Sequence, residues 1–169
     1  MTTGRTPAEA VNNYRGDVQR PLSCVTDGVV GVDGGYYPSL HPHFLTMNGG
    51  RPATLGGPSR LRLRVQQNYR IIESGLTGDD WQVAVVGYNY AILDAELTEV
   101  LLYHWHPIGN SPIATPHLHL RQGAEVGRAE VRNAHLPTGD VSLNAVLRVL
   151  IEEMGVQPRR PDWDSVLAE

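Results

Sequence analysis

Residues 61–71 read LRLRVQQNYRI, and their odd positions are mainly apolar while their even positions are mainly polar. This alternation predicts a β-strand with one buried face and one solvated face. Residues 81–94 read WQVAVVGYNYAILD, a longer run of β-branched and aromatic residues that is apolar on both faces near its start. Such a run favours a central strand of the same sheet.

The strand pattern continues on the C-terminal side of this stretch. Residues 98–106 form a third candidate strand, and the short segment 94–97 predicts a tight hairpin between it and its predecessor. Residues 107–116 are rich in proline, glycine and serine and predict a loop. Residues 117–121 return to strand alternation, and we expect a short piece at 129–132 to pair at an edge of the sheet.

A helix is predicted at the N-terminal end. Thr6 has the side chain of an N-cap, Pro7 suits the first helical position, and Glu9 completes a capping box. Gly16 and Pro21 are expected to limit this helix to two or three turns.

Two helices are predicted after the strands. Residues 143–154 carry apolar side chains at a spacing of three and four, with Ser142 as the cap and Gly155 as the stop. Residues 161–167 resemble a short final helix with acidic residues at its positive end.

These elements predict one structural domain of the α+β class. Residues 1–60 would contain the N-terminal helix and an irregular segment rich in glycine and proline, in which residues 29–32 read as a short strand. Residues 61–169 would form the α+β core, a mainly antiparallel sheet packed by the C-terminal helices and the N-terminal helix.

Composition excludes several classes of protein. The chain has 169 residues, 41% of them hydrophobic and 19% charged, which are ordinary values for a globular domain. Its apolar runs are far shorter than the roughly 20 residues of a membrane-spanning helix, so no membrane association is expected. The single cysteine, Cys24, excludes an internal disulfide and a cysteine zinc cluster, and we expect a cytoplasmic protein.

The charged residues exclude further chemistry. All 14 basic residues are arginine, so Schiff-base and P-loop mechanisms that depend on lysine are ruled out. The formal net charge of -4 argues against non-specific duplex binding over the whole surface.

Histidines form the most distinctive pattern. Four of the seven form two pairs, His104 with His106 and His117 with His119, on two strands that are separated by one loop. Residues two apart on a strand point to the same face, so neighbouring strands would bring all four rings to one patch. Arg121 has the same parity as the second pair and is expected to join them.

Three interpretations of this patch remain open, two of them chemical and one structural. Neutral imidazoles bind divalent transition metals such as Zn²⁺, so the four rings are candidate metal ligands. Alternatively, without a cofactor, one ring acts as a base and another as an acid in phosphodiester cleavage, with Arg121 stabilising the developing charge. The third interpretation is a solvated polar face without chemistry.

The remaining histidines rank lower. His135 is expected to be a loop residue rather than a ligand, although a turn could return it to the patch. His41 and His43 lie in a segment broken by proline and are interpreted as an incidental surface pair.

Arginines mark a second candidate surface. Arg62, Arg64 and Arg70 share the polar face of one strand and are candidate ligands for the phosphates of a nucleic acid. The alternative is an exposed strand face, or a sheet edge that charge protects from pairing. A common face for these arginines and the histidine patch would favour substrate binding.

The segments 103–107 and 116–119, together with the helix at 142–150, resemble the TumE-like toxin family of prokaryotic toxin–antitoxin systems. The resemblance spans roughly residues 81–155. It implies a small α+β toxin that a helix-turn-helix antitoxin neutralises, with RNA as a candidate target. Where the family pattern has an Asp-Asn element, this chain has His106-Pro107, so no catalytic residue is carried over.

The leading sequence-based hypothesis is therefore a histidine-dependent phosphodiesterase or ribonuclease of the toxin type, a hydrolase acting on RNA. A four-histidine metal-binding enzyme or sensor is the first alternative. A non-enzymatic interaction module in a toxin–antitoxin pair is the second, and a homodimer is compatible with each.

Overall fold

The computed structural model describes residues 2–107 and 113–168. Within these residues, nine strands form one antiparallel sheet. The strands are β1 (Thr2–Gly4), β2 (Val30–Asp33), β3 (His43–Met47), β4 (Ala53–Thr54), β5 (Arg62–Leu76), β6 (Asp79–Leu93), β7 (Glu99–Trp105), β8 (His117–Leu120) and β9 (Leu136–Pro137). The helices are α1 (Pro7–Leu22), α2 (Ala129–Arg132), α3 (Leu143–Glu152) and α4 (Trp163–Leu167). The predicted α+β class with a mainly antiparallel sheet is confirmed.

Sheet order follows the long β5–β6 hairpin. The strands run β2-β3-β5-β6-β7-β8-β9, while β1 pairs with β6 and β4 pairs with β5. The predicted β6–β7 hairpin is present, and the Asp94 carboxylate closes it by accepting the backbone N–H groups of Glu96 and Thr98 at 3.0 and 2.8 Å. The predicted loop at 107–116 lies partly outside the described residues. On its described side, Trp105 Nε1 donates to the carbonyl of Ala114 at 3.2 Å.

The N-terminal helix starts as predicted but is longer. Thr6 Oγ1 accepts the backbone N–H of Glu9 at 3.1 Å, which satisfies one of the free donors of the first turn. The prediction of two or three turns is wrong, because α1 runs for 16 residues through Pro21. Gly16 and Pro21 do not end the helix, since its buried face continues through Val18 and Leu22 and packing offsets their cost.

The C-terminal half contains two confirmed helices, α3 and α4, and one wrong assignment. Ser142 Oγ accepts the backbone N–H of Ala145 at 3.1 Å, so the predicted cap of α3 is present. The helix ends at Glu152, two residues before the predicted end. The expected edge strand at 129–132 is instead the short helix α2, and the strand that pairs with β8 at this edge is β9.

Residues 21–60 are more ordered than expected. They contain β2, β3 and β4, and β2 and β3 form a hairpin at one edge of the sheet. The short strand expected at 29–32 is present as β2, whereas β3 and β4 have five and two residues, too few alternations for a periodic signal.

Helices and strands share one hydrophobic core on one face of the sheet. The core combines the apolar stripes of α1 and α3 with alternate residues of β5 and β6, among them Leu63, Val65, Tyr69, Tyr90 and Ile92. The opposite face carries mainly polar side chains, together with a small buried apolar cluster of Ala91, Leu93 and Leu102, and we call it the open face. Cross-strand pairing assigns the following residues to it: Phe44, Thr46, Arg62, Arg64, Gln66, Asn68, Arg70, Asn89, His104, His117 and His119. His106 follows the end of β7, and its ring stacks on that of His104.

Candidate functional site

The two histidine pairs lie side by side on the open face. β7 and β8 are antiparallel neighbours, and His104 is directly opposite His117. The ring centroids of His104 and His106 are 4.1 Å apart, those of His104 and His117 5.3 Å, and those of His117 and His119 4.8 Å. Strand alternation therefore predicted correctly that these four rings share one patch.

A fifth ring belongs to the same cluster. The ring centroid of His135 lies 5.0 Å from that of His117 and 4.5 Å from that of His119. β9 follows immediately and pairs with β8 through Leu136 and Leu118, which returns this loop to the patch. His135 is a loop residue, as expected, but its ring lies among the candidate ligands. A two-residue strand gives no periodic signal that would place it there.

Two trios of rings could each hold one metal ion. In each trio, one nitrogen per ring lies within 4.8 Å of the others. The first trio is His104, His106 and His117, and the second is His117, His119 and His135. Zn–N bonds of about 2.0–2.1 Å with tetrahedral angles place ligand nitrogens roughly 3.4 Å apart, so side-chain rotations would close either trio around an ion. His117 is common to both.

Hydrogen bonding fixes the tautomer of His117. Its Nδ1 lies 2.7 Å from the carbonyl oxygen of Thr115, and a carbonyl can only accept, so Nδ1 carries the proton. In this tautomer Nε2 is the atom free to act as a ligand, and it is buried and has no partner among the described residues. The Nδ1 atoms of His106 and His119 are also buried without a partner there. Buried polar atoms are rarely left unpaired, so three of them in one cluster make it a candidate ligand site.

Burial and mutual repulsion favour the neutral form of three of the rings, those of His104, His106 and His119. Burial lowers the pKa of His104 to about 4, with further contributions from His106 and His117. Burial also lowers the pKa of His119 to about 4, and the adjacent positive charge of Arg121 adds to the effect. The pKa of His106 is lowered by burial and then by its histidine neighbours. Neutral imidazole is the form that binds metal ions.

A cavity of about 410 Å³ opens onto the cluster, and its lining includes all five rings together with Arg121 and Asn133. Arg121 lies where strand parity predicted it. Its Nε is 3.4 Å from Glu99 Oε2, and the other oxygen of Glu99 is 2.7 Å from Arg64 Nη2. One carboxylate thus lies between two guanidinium groups, which leaves a net positive charge beside the histidines.

The three predicted phosphate-binding arginines share the open face with the histidines. Arg64 is in the same cross-strand row as His119, three strands away, or about 14 Å. Arg62 and Arg70 lie further along β5 and form no ion pair within residues 2–107 and 113–168. The structure therefore places these arginines on the same face as the histidine cluster but not within it.

The interpretation of residues 41 and 43 as a surface pair is wrong for one of them. His41 is exposed, but His43 is buried on the core face. His43 Nε2 lies 2.8 Å from the carbonyl oxygen of Tyr37, and its ring packs against Tyr69 with centroids 5.4 Å apart. β3 pairing sets its orientation, because His43 is directly opposite Tyr69 of β5.

Comparison with known proteins adds no assignment: no family model, no curated protein and no solved structure matches this chain. Among the described residues, no helix has the length and apolar character needed to cross a membrane.

Proposed function

We propose that the five-histidine cluster binds one divalent transition-metal ion, and that the protein is a metal-dependent enzyme or a metal sensor. The buried, unpartnered Nε2 of His117 carries this proposal, because it belongs to both trios and its tautomer is fixed by Thr115. Ligating histidines in metalloproteins commonly donate their other ring N–H to a carbonyl in this way.

The donor set indicates the class of metal. Both trios consist of imidazoles alone, and such nitrogen donors suit Zn²⁺, Cu²⁺, Ni²⁺ and Fe²⁺ better than Mg²⁺ or Ca²⁺. A trio of protein ligands leaves a coordination position for water or substrate, which is typical of catalytic zinc sites. When bound there, such an ion lowers the pKa of a coordinated water and polarises substrate oxygens. Arg121 would orient an anionic group beside it.

Metal titration of untagged, chelator-treated protein tests this proposal. We expect one Zn²⁺ per chain by calorimetry and elemental analysis. His117→Ala should weaken affinity on the order of 100-fold or more, since it removes a ligand from both trios. His41→Ala is the matched control, because His41 is exposed and lies outside the cluster. Equal affinity in wild type and His117→Ala would contradict the proposal.

Acid–base cleavage of RNA is the second candidate, as expected for a toxin-type ribonuclease. The observation in its favour is the common face of the arginines and histidines, with Arg121 inside the cavity. Against it, an acid catalyst needs a ring that is protonated near neutral pH, and the pKa values of His104 and His119 are about 4. Cleavage of RNA by chelator-treated protein, lost in His104→Ala, would favour this candidate over the metal site.

A further inference from the structure

The open face extends well beyond the histidine cluster. Gln66, Asn89, His104 and His117 form one cross-strand row over four neighbouring strands. At about 4.8 Å per strand, this row spans roughly 14 Å. Gln66 and Asn89 thus place amide donors and acceptors in the same row as the candidate metal ligands.

An exposed aromatic residue lies on the same face. Phe44 is directly opposite Asn68, and 43% of its surface is accessible. The residue opposite Asn68 on the other side is Gly87, where a Cβ would lie 2.9 Å from the carbonyl oxygen of Trp105. A side chain at position 87 would clash, so glycine lets the backbone of β6 lie close to the amide of Asn68, whose Nδ2 is 3.5 Å from where that Cβ would be. Gln66 Nε2 donates to Asn68 Oδ1 at 3.2 Å, which orients both amides.

Positive charge lies on either side of these amides. Arg62 and Arg70 are eight residues apart on β5, roughly 27 Å along the strand. Arg64 contacts Glu99, so the β5 arginines without an ion pair among the described residues are Arg62 and Arg70. An acidic residue, Asp33, is directly opposite Phe44 on the edge strand β2. A polyanion would therefore follow β5 rather than this edge.

We infer that the open face binds a single-stranded nucleic acid, with a base stacked on Phe44, base edges hydrogen-bonded to Gln66, Asn68 and Asn89, and phosphates at Arg62 and Arg70. Single strands have unstacked bases that an open sheet can accept on an aromatic side chain. The distance between the two arginines exceeds the length of a mononucleotide and favours a polymer. The inference rests on the proposed function only where the bound nucleic acid reaches the histidine cluster.

Fluorescence polarisation with the full chain tests the inference. The probes are a labelled single-stranded RNA of mixed sequence, a DNA of the same sequence and the corresponding duplex, each with metal-free and zinc-loaded protein. We expect either single strand to bind more tightly than the duplex. Phe44→Ala should weaken this binding about tenfold or more, because a stacked base is lost. Tyr36→Ala is the control, since Tyr36 has a similar exposure of 42% and is not on β3.

Salt dependence gives a second readout. Replacing Arg62 and Arg70 by glutamine should weaken binding and reduce its dependence on salt concentration, because fewer counterions are released. Absence of binding to both single strands, or equal affinities of Phe44→Ala and wild type, would overturn the inference. Zinc binding is measured on the same samples, so failure of the nucleic-acid interaction with intact zinc binding overturns this inference alone. Failure of the wild-type protein to bind zinc would instead contradict the proposed metal site.

Discussion

Acid should destabilise the metal-free protein through the histidine cluster. His104 and His119 have pKa values of about 4 in the folded protein, whereas an unfolded chain protonates histidine at about 6.5. Between these values the unfolded chain binds more protons than the folded one. The contribution of these two rings to the free energy of unfolding is therefore complete above about pH 6.5 and is lost as the pH falls towards 4. We expect a loss on the order of 1 kcal/mol per pH unit for each ring in this window.

Chemical denaturation in the presence of a chelator measures this loss at about pH 7 and about pH 5.5. The double variant His104→Gln/His119→Gln should show a clearly smaller difference in unfolding free energy between the two pH values. His41→Gln should retain the wild-type difference, because His41 is exposed and outside the cluster. Carboxylates also titrate near this range, but they are the same in every variant. A double variant with the full wild-type pH dependence would refute the argument that the rings of His104 and His119 are held neutral.

Three further predictions concern the site and its support. His104→Ala and His135→Ala should each still bind one zinc ion in calorimetry, since each variant leaves one trio intact. The double variant should bind none. Loss of zinc binding in either single variant would contradict the argument that one trio is sufficient. Gln67→Leu should lower the free energy of unfolding by about 2–4 kcal/mol, because the hydroxyls of two buried tyrosines lose their partner; a change below about 1 kcal/mol in denaturant titrations would refute it. Ser142→Ala should cost about 1 kcal/mol in thermal unfolding and Ser142→Asp much less, since aspartate also caps helices; equal losses would contradict the capping role.

Local periodicity predicted the parts of the site that depend on one strand or one hairpin. The spacing of His104 and His106 places both rings on one face of any regular strand, whatever its neighbours. Their meeting with His117 and His119 required only that the strands on either side of one loop be paired, which is the usual arrangement for an antiparallel sheet. The alternation of residues 61–71 likewise separated the core face from the polar face correctly.

Long-range pairing determined the parts that the sequence did not predict. Phe44 reaches the open face because β3 pairs with β5, although the chain between them also contains β4. His135 reaches the cluster because β9 returns to β8. Neither short strand has enough alternations to predict its partner. The end of α1 was misplaced for a related reason, since packing against the core overrides the low helix propensity of Gly16 and Pro21.

The arrangement of the open face is better explained by ligand binding than by solvation alone. A solvated face requires side chains that water reaches, yet His117 and His119 are buried, with accessible fractions of 1% and 6%. Each unpartnered polar atom in such a place costs about 1–3 kcal/mol, and three ring nitrogens of the cluster lack a partner among the described residues. Apolar side chains at these positions would avoid that cost, because they have no polar atoms to leave unpaired. The same face already accommodates buried apolar side chains at Leu102 and Ala91. Coordination of a metal ion by either trio would give partners to at most two of these three nitrogens, and the free energy of binding would then stabilise the folded chain.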